Sequence, residues 1–135
     1  MSREYVKGER EEASAYSRAV KVSGGRTVYL AGVGGASSPD GAQLDFGTQT
    51  RNAFERLRAN LAEAGGALDD IVTMTVFITD VRYGDEFKAI RKGLFERGFP
   101  ASALITVAGL ARPEMLVEIQ AIAVLDDRSS AAPGP

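Results

Sequence analysis

The sequence predicts a single α+β domain, with one mixed β-sheet and two helices packed on one of its faces. Short apolar or alternating runs that suit strands occur along most of the chain, and two longer segments carry apolar residues at helical spacing. The length of 135 residues is enough for one hydrophobic core and fits one domain. The predicted order is β-β-β-α-β-α-β-β, with no repeat or linker.

The chain is predicted to begin with a lead-in followed by a β-hairpin. Residues 1–14 are polar and charged, and we expect them to be flexible. From Tyr16 to Val22 the side chains alternate as in a strand. A turn at 23–26, containing two glycines, leads into a second strand over 27–32. A short third strand is expected before the first helix.

Two helices and a buried strand occupy the middle of the chain. A helix is predicted from Thr48 to Ala64, ended by a glycine pair. The β-branched run Ile71 to Ile78 has few polar positions, as in a strand covered on both faces. A second helix is predicted from Asp85 to Arg97. Its inner face is expected to carry Phe87, Ile90, Leu94 and Phe95.

Two further strands are predicted to complete the sheet. Pro100 precedes a strand over 101–110, a turn follows at 111–114, and the last strand runs over 116–125. The polar tail 126–135 is rich in proline and glycine, so it is expected to be flexible. Two helices cover only one face of such a sheet, although its strands are apolar on both. The other face is therefore expected to pack against identical subunits.

Composition excludes several classes of function. The net charge of −2 does not suit a nucleic-acid binder, and no apolar run is long enough to cross a membrane. The charged N-terminus does not resemble a secretory signal, so a cytoplasmic location is expected. The absence of cysteine and histidine removes thiolate nucleophiles and the commonest general base and zinc ligands, and no metal is expected.

Glu118 is the first candidate for chemistry. It lies in the last predicted strand, where most residues on its face are apolar. A carboxylate there is costly to ionise without a partner, and such a group suits proton transfer near neutral pH. The alternative is a structural role, in which Glu118 pairs with an arginine or caps backbone amides at an interface.

Arginines and a tyrosine are further candidates. Arg18, Arg91 and Arg112 could hold an anion, although a solvated surface arginine is the commoner explanation for any one of them. Tyr16 could present its hydroxyl to a ligand or serve as a core tyrosine. The glycine pair 34–35 is not a phosphate-binding loop, because it lacks the Lys-Ser/Thr ending and no helix follows directly.

The C-terminal half carries a family resemblance. The segments Phe99–Ala101, Val107–Leu110 and Val117–Val124 together resemble the signature of the RidA/YjgF family of reactive-intermediate deaminases. Tyr16, the strand 27–32, Gln49 and the run 71–80 fall in matching places, so the resemblance covers nearly the whole chain. It implies a chorismate-mutase-like α+β subunit that forms a homotrimer with three clefts between subunits.

The resemblance also implies an activity and a set of residues. Family deaminases hydrolyse reactive enamines and imines to ketoacids and ammonia. By their matching positions, Glu118 would orient or activate the attacking water, Tyr16 would shape the cleft, and Gly32 would supply a backbone amide. The family arginine that holds the substrate carboxylate falls at Ser102. A frequent serine falls at Ala31, a frequent cysteine or small residue at Leu104, and a usual asparagine at Arg91.

These departures leave two explanations. In one, Arg91 or Arg112 reaches into the cleft from another direction, and the protein hydrolyses an imine or enamine of different shape that carries a carboxylate. In the other, the cleft binds a small metabolite without turnover, as a sensor or enzyme partner. We favour the hydrolase, with Gly32, Ser102 and Ala103 lining the site and no cofactor. The endoribonuclease activity also attached to the family is the least favoured.

Overall fold

The structure is a computed structural model that describes residues 1–127 as an α+β fold. It contains six strands, three helices and two single-turn 3-10 helices, at Leu68–Asp70 and Val81–Tyr83. The strands are β1 (Ser2–Val6), β2 (Ala19–Ser23), β3 (Arg26–Val33), β4 (Ile71–Ile78), β5 (Ala101–Thr106) and β6 (Val117–Leu125). The helices are α1 (Glu9–Ala13), α2 (Phe46–Glu63) and α3 (Gly84–Lys92).

The main sheet has four strands in the order β3-β6-β4-β5. β6 pairs antiparallel with both β3 and β4, whereas β4 and β5 are parallel. This arrangement confirms the predicted α+β class with a mixed sheet and helices. β4 and β6 occupy the two central positions because their residues are apolar on both faces.

The core lies between the sheet and helices α2 and α3. Met74, Val76 and Ile78 of β4 are each at most 1% exposed, and they alternate with half-buried residues on the opposite face. Phe54 of α2 packs against Phe87 of α3, with 5.9 Å between ring centroids. The helical stripe predicted from the sequence is therefore the packed face of α2.

The beginning of the chain differs from the prediction. Residues expected to be a flexible lead-in form β1 and α1, and β2 pairs with β1 in a separate two-stranded sheet. The predicted hairpin between the segments 16–22 and 27–32, which contain β2 and β3, is thus wrong, since β3 pairs with β6. Arg3 fastens the small sheet to the main one by donating to the carbonyls of Asp69 and Val124, at 2.7 and 2.6 Å.

Two predicted elements are shorter than expected, and one is absent. The second helix ends at Lys92 instead of Arg97, and its C-cap is Gly93. β5 ends at Thr106 instead of residue 110. Residues 34–45 contain no strand, so the short third strand is also wrong. Because α3 ends early, Arg91 lies in its last turn, where its side chain reaches Ser102 of β5.

The glycine pair after β3 serves packing. A Cβ on Gly35 would overlap the backbone carbonyl of Gln49 and the Cβ of Asn52, so only glycine lets this loop approach α2 closely. Arg56 donates from Nη1 to the Gly34 carbonyl at 2.9 Å, and Asn52 donates to the Gly35 carbonyl at 3.1 Å. These contacts hold the end of β3 against α2.

Candidate functional site

Glu118 lies on the face of the main sheet that helices α2 and α3 leave open. It is half-buried on β6, directly opposite Phe77 of β4, and its neighbours Val117 and Ile119 point into the core. Within residues 1–127 its carboxylate has no hydrogen-bond or ion-pair partner. The chain alone therefore leaves Glu118 free to meet a ligand, a water molecule or another subunit.

The backbone beside Glu118 is irregular. The pairing of β3 with β6 shifts register between Leu30 and Val33, and this bulge leaves Ala31 and Gly32 exposed. A Cβ on Gly32 would stand 2.8 Å from Glu118 Oε2 and 3.2 Å from its Cδ. Gly32 thus lets the carboxylate lie against the strand backbone. Glu118, Gly32 and Ala31 form the first group of site residues.

The open face around this group is partly apolar. Tyr29 is 79% exposed and Ile105 is 41% exposed, although both belong to strands of the main sheet. A depression of about 190 Å³ lies on this face, and Tyr29, Thr73, Thr75, Gln120 and Ile122 contribute to its lining. Large apolar side chains left exposed on a sheet indicate a surface that packs against something.

Arg91 forms the centre of a second group. Its side chain is 2% exposed, and its Nη1 donates to Ser102 Oγ at 2.7 Å. Nη2 donates to the Ser14 carbonyl at 3.4 Å, and the guanidinium carbon lies 4.9 Å from the centre of the Phe87 ring. No carboxylate pairs with Arg91 in residues 1–127, and its buried Nε has no acceptor. Burial lowers the pKa of Arg91 to about 10, partly opposed by its electrostatic interaction with Tyr16.

Tyr16 is held next to Arg91 by an unusual piece of backbone. Ala15 has φ of 64° and is fully buried, so a residue with a Cβ adopts the left-handed conformation here. Ser17 then joins the edge of β5, where its N–H donates to the Pro100 carbonyl at 3.0 Å. Segment 14–17 thereby passes the start of β5, contacts Arg91 through the Ser14 carbonyl and brings Tyr16 close enough to interact with Arg91 electrostatically.

The two groups lie apart within one chain. Ser102 lies opposite Met74, whereas Glu118 lies opposite Phe77 three residues further along β4. β4 separates β5 from β6, so these two strands are about 10 Å apart. Ser102 contacts Arg91 of α3 on the helix side of the sheet, and Glu118 is on the open side. One chain therefore does not bring Glu118 together with Arg91.

The remaining predicted residues divide between the two sides. Ala103 is exposed on the open face, whereas Leu104 is half-buried on the helix side near Gly84. Arg112 is far more solvent-exposed than expected for a site residue, with a side chain 70% exposed and its Nε 3.3 Å from Glu114 Oε1. No hydrogen bond or ion pair found in residues 1–127 joins Arg112 to either group.

Sequence reasoning missed the part played by Gln49. It lies inside α2, is fully buried, and donates from Nε2 to the carbonyls of Leu44 and Glu114, both at 2.9 Å. Its Oε1 accepts from the N–H of Leu116, also at 2.9 Å. Gln49 thereby anchors the chain just before β6 and Glu118. A polar residue within the apolar face of a predicted helix is the signal that could have found it.

In residues 1–127 no three or more acidic side chains cluster as cation ligands would. None of the helices in that range is long and apolar enough to cross a membrane.

Known proteins resemble the chain along most of its length. The family model described as endoribonuclease L-PSP matches residues 8–125. A RutC family protein of Pyrococcus abyssi is 31% identical over 110 residues, which cover 80% of this chain and 84% of the relative. The RutC family protein UK114 of Drosophila melanogaster is 32% identical over 111 residues, covering 81% and 78% of the two chains.

Solved structures give the same result. The Rid family protein YyfB of Yersinia pestis has a TM-score of 0.80 and 28% identity, over 93% of this chain and all of the other. RidA of an Antarctic Psychrobacter species has a TM-score of 0.67 and 34% identity, over 82% of this chain and 88% of its own. Sequence and fold agree, and the chain belongs to the RidA/YjgF family, the group that the endoribonuclease L-PSP model describes.

Proposed function

We propose that this protein hydrolyses a reactive imine or enamine to a carbonyl compound and ammonia, with Glu118 directing the attacking water. Protonation of an imine at nitrogen, or of an enamine at its β-carbon, gives an iminium ion whose carbon is electrophilic, so the reaction needs no cofactor. Water adds to that carbon and loses a proton, and the C–N bond then breaks as the nitrogen leaves as ammonia. A carboxylate placed beside the carbon can accept the proton from water and return it to the nitrogen.

The unpaired carboxylate of Glu118 is the observation that carries this proposal. It has no partner in residues 1–127, and the bulge at Ala31 and Gly32 exposes backbone next to it. Exposed backbone N–H groups can orient a polar substrate, and the carboxylate can orient water. A structural glutamate could instead pair with a neighbouring subunit, and loss of hydrolysis in Glu118→Gln distinguishes the catalytic role from that one.

The proposal places the reaction between subunits. Glu118 lies on the open face at β6, whereas Arg91 lies on the helix side of the edge strand β5 with Tyr16 near it, so a cleft that uses all three needs two copies of the chain. The exposed Tyr29 and Ile105 suit a face that packs against a neighbour. We expect a homotrimer, as the family resemblance implies. A monomer in size-exclusion chromatography with light scattering would contradict the shared cleft.

A second candidate is binding of a small metabolite without turnover. Ser102 occupies the position at which the family resemblance places a carboxylate-binding arginine, and Arg91 is only 2% exposed in the isolated chain. A protein of this kind would bind a ligand but leave imines to hydrolyse at the rate seen in buffer.

Ribonuclease activity is the least supported function. The net charge of −2 does not suit RNA binding, and the lack of histidine removes the commonest general base.

The decisive experiment measures imine hydrolysis directly. An amino-acid oxidase generates imines in situ from a panel of amino acids, and semicarbazide traps those that survive. The hydrolase proposal predicts less trapped product and faster ammonia release than in buffer for at least one panel member. No acceleration on any member, together with ligand binding to the oligomer, would favour the binding alternative.

Replacing Gly32 by alanine should lower activity without harming the fold. The new Cβ would crowd Glu118 Oε2, which is the flexible end of a side chain and can move away. We expect kcat/KM to fall about tenfold, as a displaced catalytic group loses its orientation, with little change in melting temperature. Gly109→Ala is the matched control, because a Cβ there meets nothing within 4 Å. Equal activities of the two variants would argue against a site at Gly32.

A further inference from the structure

Arg91 is a buried cation whose hydrogen bonding is incomplete. A guanidinium has five N–H donors, and in residues 1–127 this one has two acceptors, Ser102 Oγ and the Ser14 carbonyl. Both acceptors are uncharged, and the Ser14 bond is long at 3.4 Å. The Nε atom is buried without an acceptor. Buried arginines are normally paired with acidic groups, because an uncompensated buried charge is strongly unfavourable.

The unused donors lie on one edge of the guanidinium. Ser102 Oγ accepts a hydrogen bond from Nη1. The guanidinium is planar, so its Nε–H and an Nη2–H point in the same direction along a different edge. That edge has one donor without an acceptor and one with a long bond to a carbonyl. Two parallel N–H groups at this spacing match the two oxygens of a carboxylate.

We propose that the Nε–Nη2 edge of Arg91 binds the carboxylate of the substrate, and that Ser102 is a positioning residue that aims this edge by holding Nη1. The inference rests on the proposed function and narrows its substrates to imines and enamines that carry a carboxylate. Phe87 supports the same orientation, since its ring lies 4.9 Å from the guanidinium carbon. The guanidinium thus reaches Ser102 from α3 and acts from the helix side of β5.

In the free chain the Ser14 carbonyl accepts from Nη2, at the position where the proposed carboxylate oxygen would bind. A carboxylate oxygen would form a shorter, charge-assisted bond to Nη2 than the carbonyl does at 3.4 Å. Entry requires the Ser14 carbonyl to turn away, because Arg91 is 2% exposed in the free chain. The neighbouring Ala15 is in the left-handed conformation, which is unfavourable for alanine, so the backbone next to the Ser14 carbonyl is strained.

The Arg91 Nε–H signal in ¹⁵N-edited NMR spectra of the intact oligomer tests the proposal. The probes are pyruvate, 4-methyl-2-oxopentanoate and phenylpyruvate, each paired with its uncharged amide. We expect at least one acid to shift the Nε–H signal downfield in a saturable manner, and the matching amide to leave it unchanged. Failure of all three acids to move this signal would overturn the proposal, as would equal shifts from acid and amide.

Variants separate ligand binding from structural support. Arg91→Met keeps the apolar stem and should weaken binding of the responding acid at least tenfold. The oligomer should stay folded with only a small loss of melting temperature, because removal of an unpaired buried charge offsets the lost hydrogen bonds to Ser102 and Ser14. Arg58→Met is the matched control on α2, where the arginine is about half exposed. Undiminished binding by Arg91→Met would overturn the proposal. A large loss of melting temperature, with binding kept in Arg91→Lys, would assign Arg91 a structural role instead.

Ser102 has its own test. Ser102→Ala removes the acceptor of Nη1 and should raise the Kd of the acid severalfold, whereas Ser102→Thr keeps a hydroxyl and should restore binding. Equal affinity in all three proteins would show that Ser102 does not position Arg91.

The activity assay distinguishes failure of this inference from failure of the proposed function. Hydrolysis of imines made from amino-acid amides as fast as those from the free acids would overturn the carboxylate site and leave the hydrolase intact. Saturable binding of an acid through Arg91, without hydrolysis of any imine, would keep the carboxylate site and overturn the hydrolase.

Discussion

Glu118→Gln is expected to lower the rate of imine hydrolysis by about two orders of magnitude or more, the range that general acid–base groups contribute. Glutamine has nearly the same shape and can still hydrogen-bond to water, but it cannot accept a proton. Because Glu118 has no hydrogen-bond or ion-pair partner in residues 1–127, the substitution breaks no such bond in that part of the chain. Substrate binding should change less than kcat, since the carboxylate acts mainly on the water.

The control for this prediction is Glu63→Gln. Glu63 is exposed at the end of α2, so this variant makes the same change in charge far from the proposed cleft. Both variants should keep the oligomeric state and melting temperature of the parent protein. Rates of Glu118→Gln within twofold of those of Glu63→Gln would remove Glu118 from the mechanism and favour a binding protein.

The best-predicted elements were those whose signals are local. β4 is confirmed at both ends because its apolar β-branched run can hardly form anything except a buried strand. α2 is confirmed to within two residues at each end, since its apolar stripe is regular and Gly65, with φ of 91°, ends it. In both elements the local sequence and the tertiary contacts favour the same structure.

The N-terminal region was mispredicted because its structure depends on distant residues. The charged segment 2–6 looks polar, yet Arg3 and Tyr5 are half-buried, because Arg3 reaches the carbonyls of Asp69 and Val124 and the Tyr5 ring lies against Gly98. The turn at Gly24 and Gly25 suggested a hairpin, but both glycines have φ near 80° and pass the chain from β2 of one sheet to β3 of the other. The partner of β3 is β6, which lies almost a hundred residues later in the sequence, so no local pattern specifies this pairing.

The candidate site was only partly predictable for a similar reason. The sequence could name Arg91 and Arg112 as alternative anion-binding residues. Only the structure shows that Arg91 reaches Ser102, because α3 ends at Lys92 and the guanidinium packs on Phe87. Arg112 lies in a turn and pairs with Glu114 at the surface instead. That Glu118 and Arg91 lie on different sides of the sheet follows from the strand order β3-β6-β4-β5, which no local pattern specifies.

Gln49→Met is expected to lower the free energy of unfolding by about 3 kcal/mol, because burying a polar group without its partner costs about 1–3 kcal/mol. Methionine fills nearly the same volume but leaves the Leu116 N–H without an acceptor and takes a donor from the carbonyls of Leu44 and Glu114. Denaturant unfolding measures the loss. Hydrolysis should also slow under native conditions, since the Leu116 bond fixes the chain two residues before Glu118.

Gln43→Met supplies the matched comparison. Gln43 Nε2 donates to the same two carbonyls, at 3.1 Å for Leu44 and 2.9 Å for Glu114, but its side chain is exposed and water can replace it. Its loss should therefore cost no more than about 0.5 kcal/mol. The two variants share two acceptors, so they differ mainly in burial and in the bond from the Leu116 N–H. Equal destabilisation would mean that the bonds to the Leu44 and Glu114 carbonyls stabilise the start of β6, and that the bond from the buried Leu116 N–H contributes little.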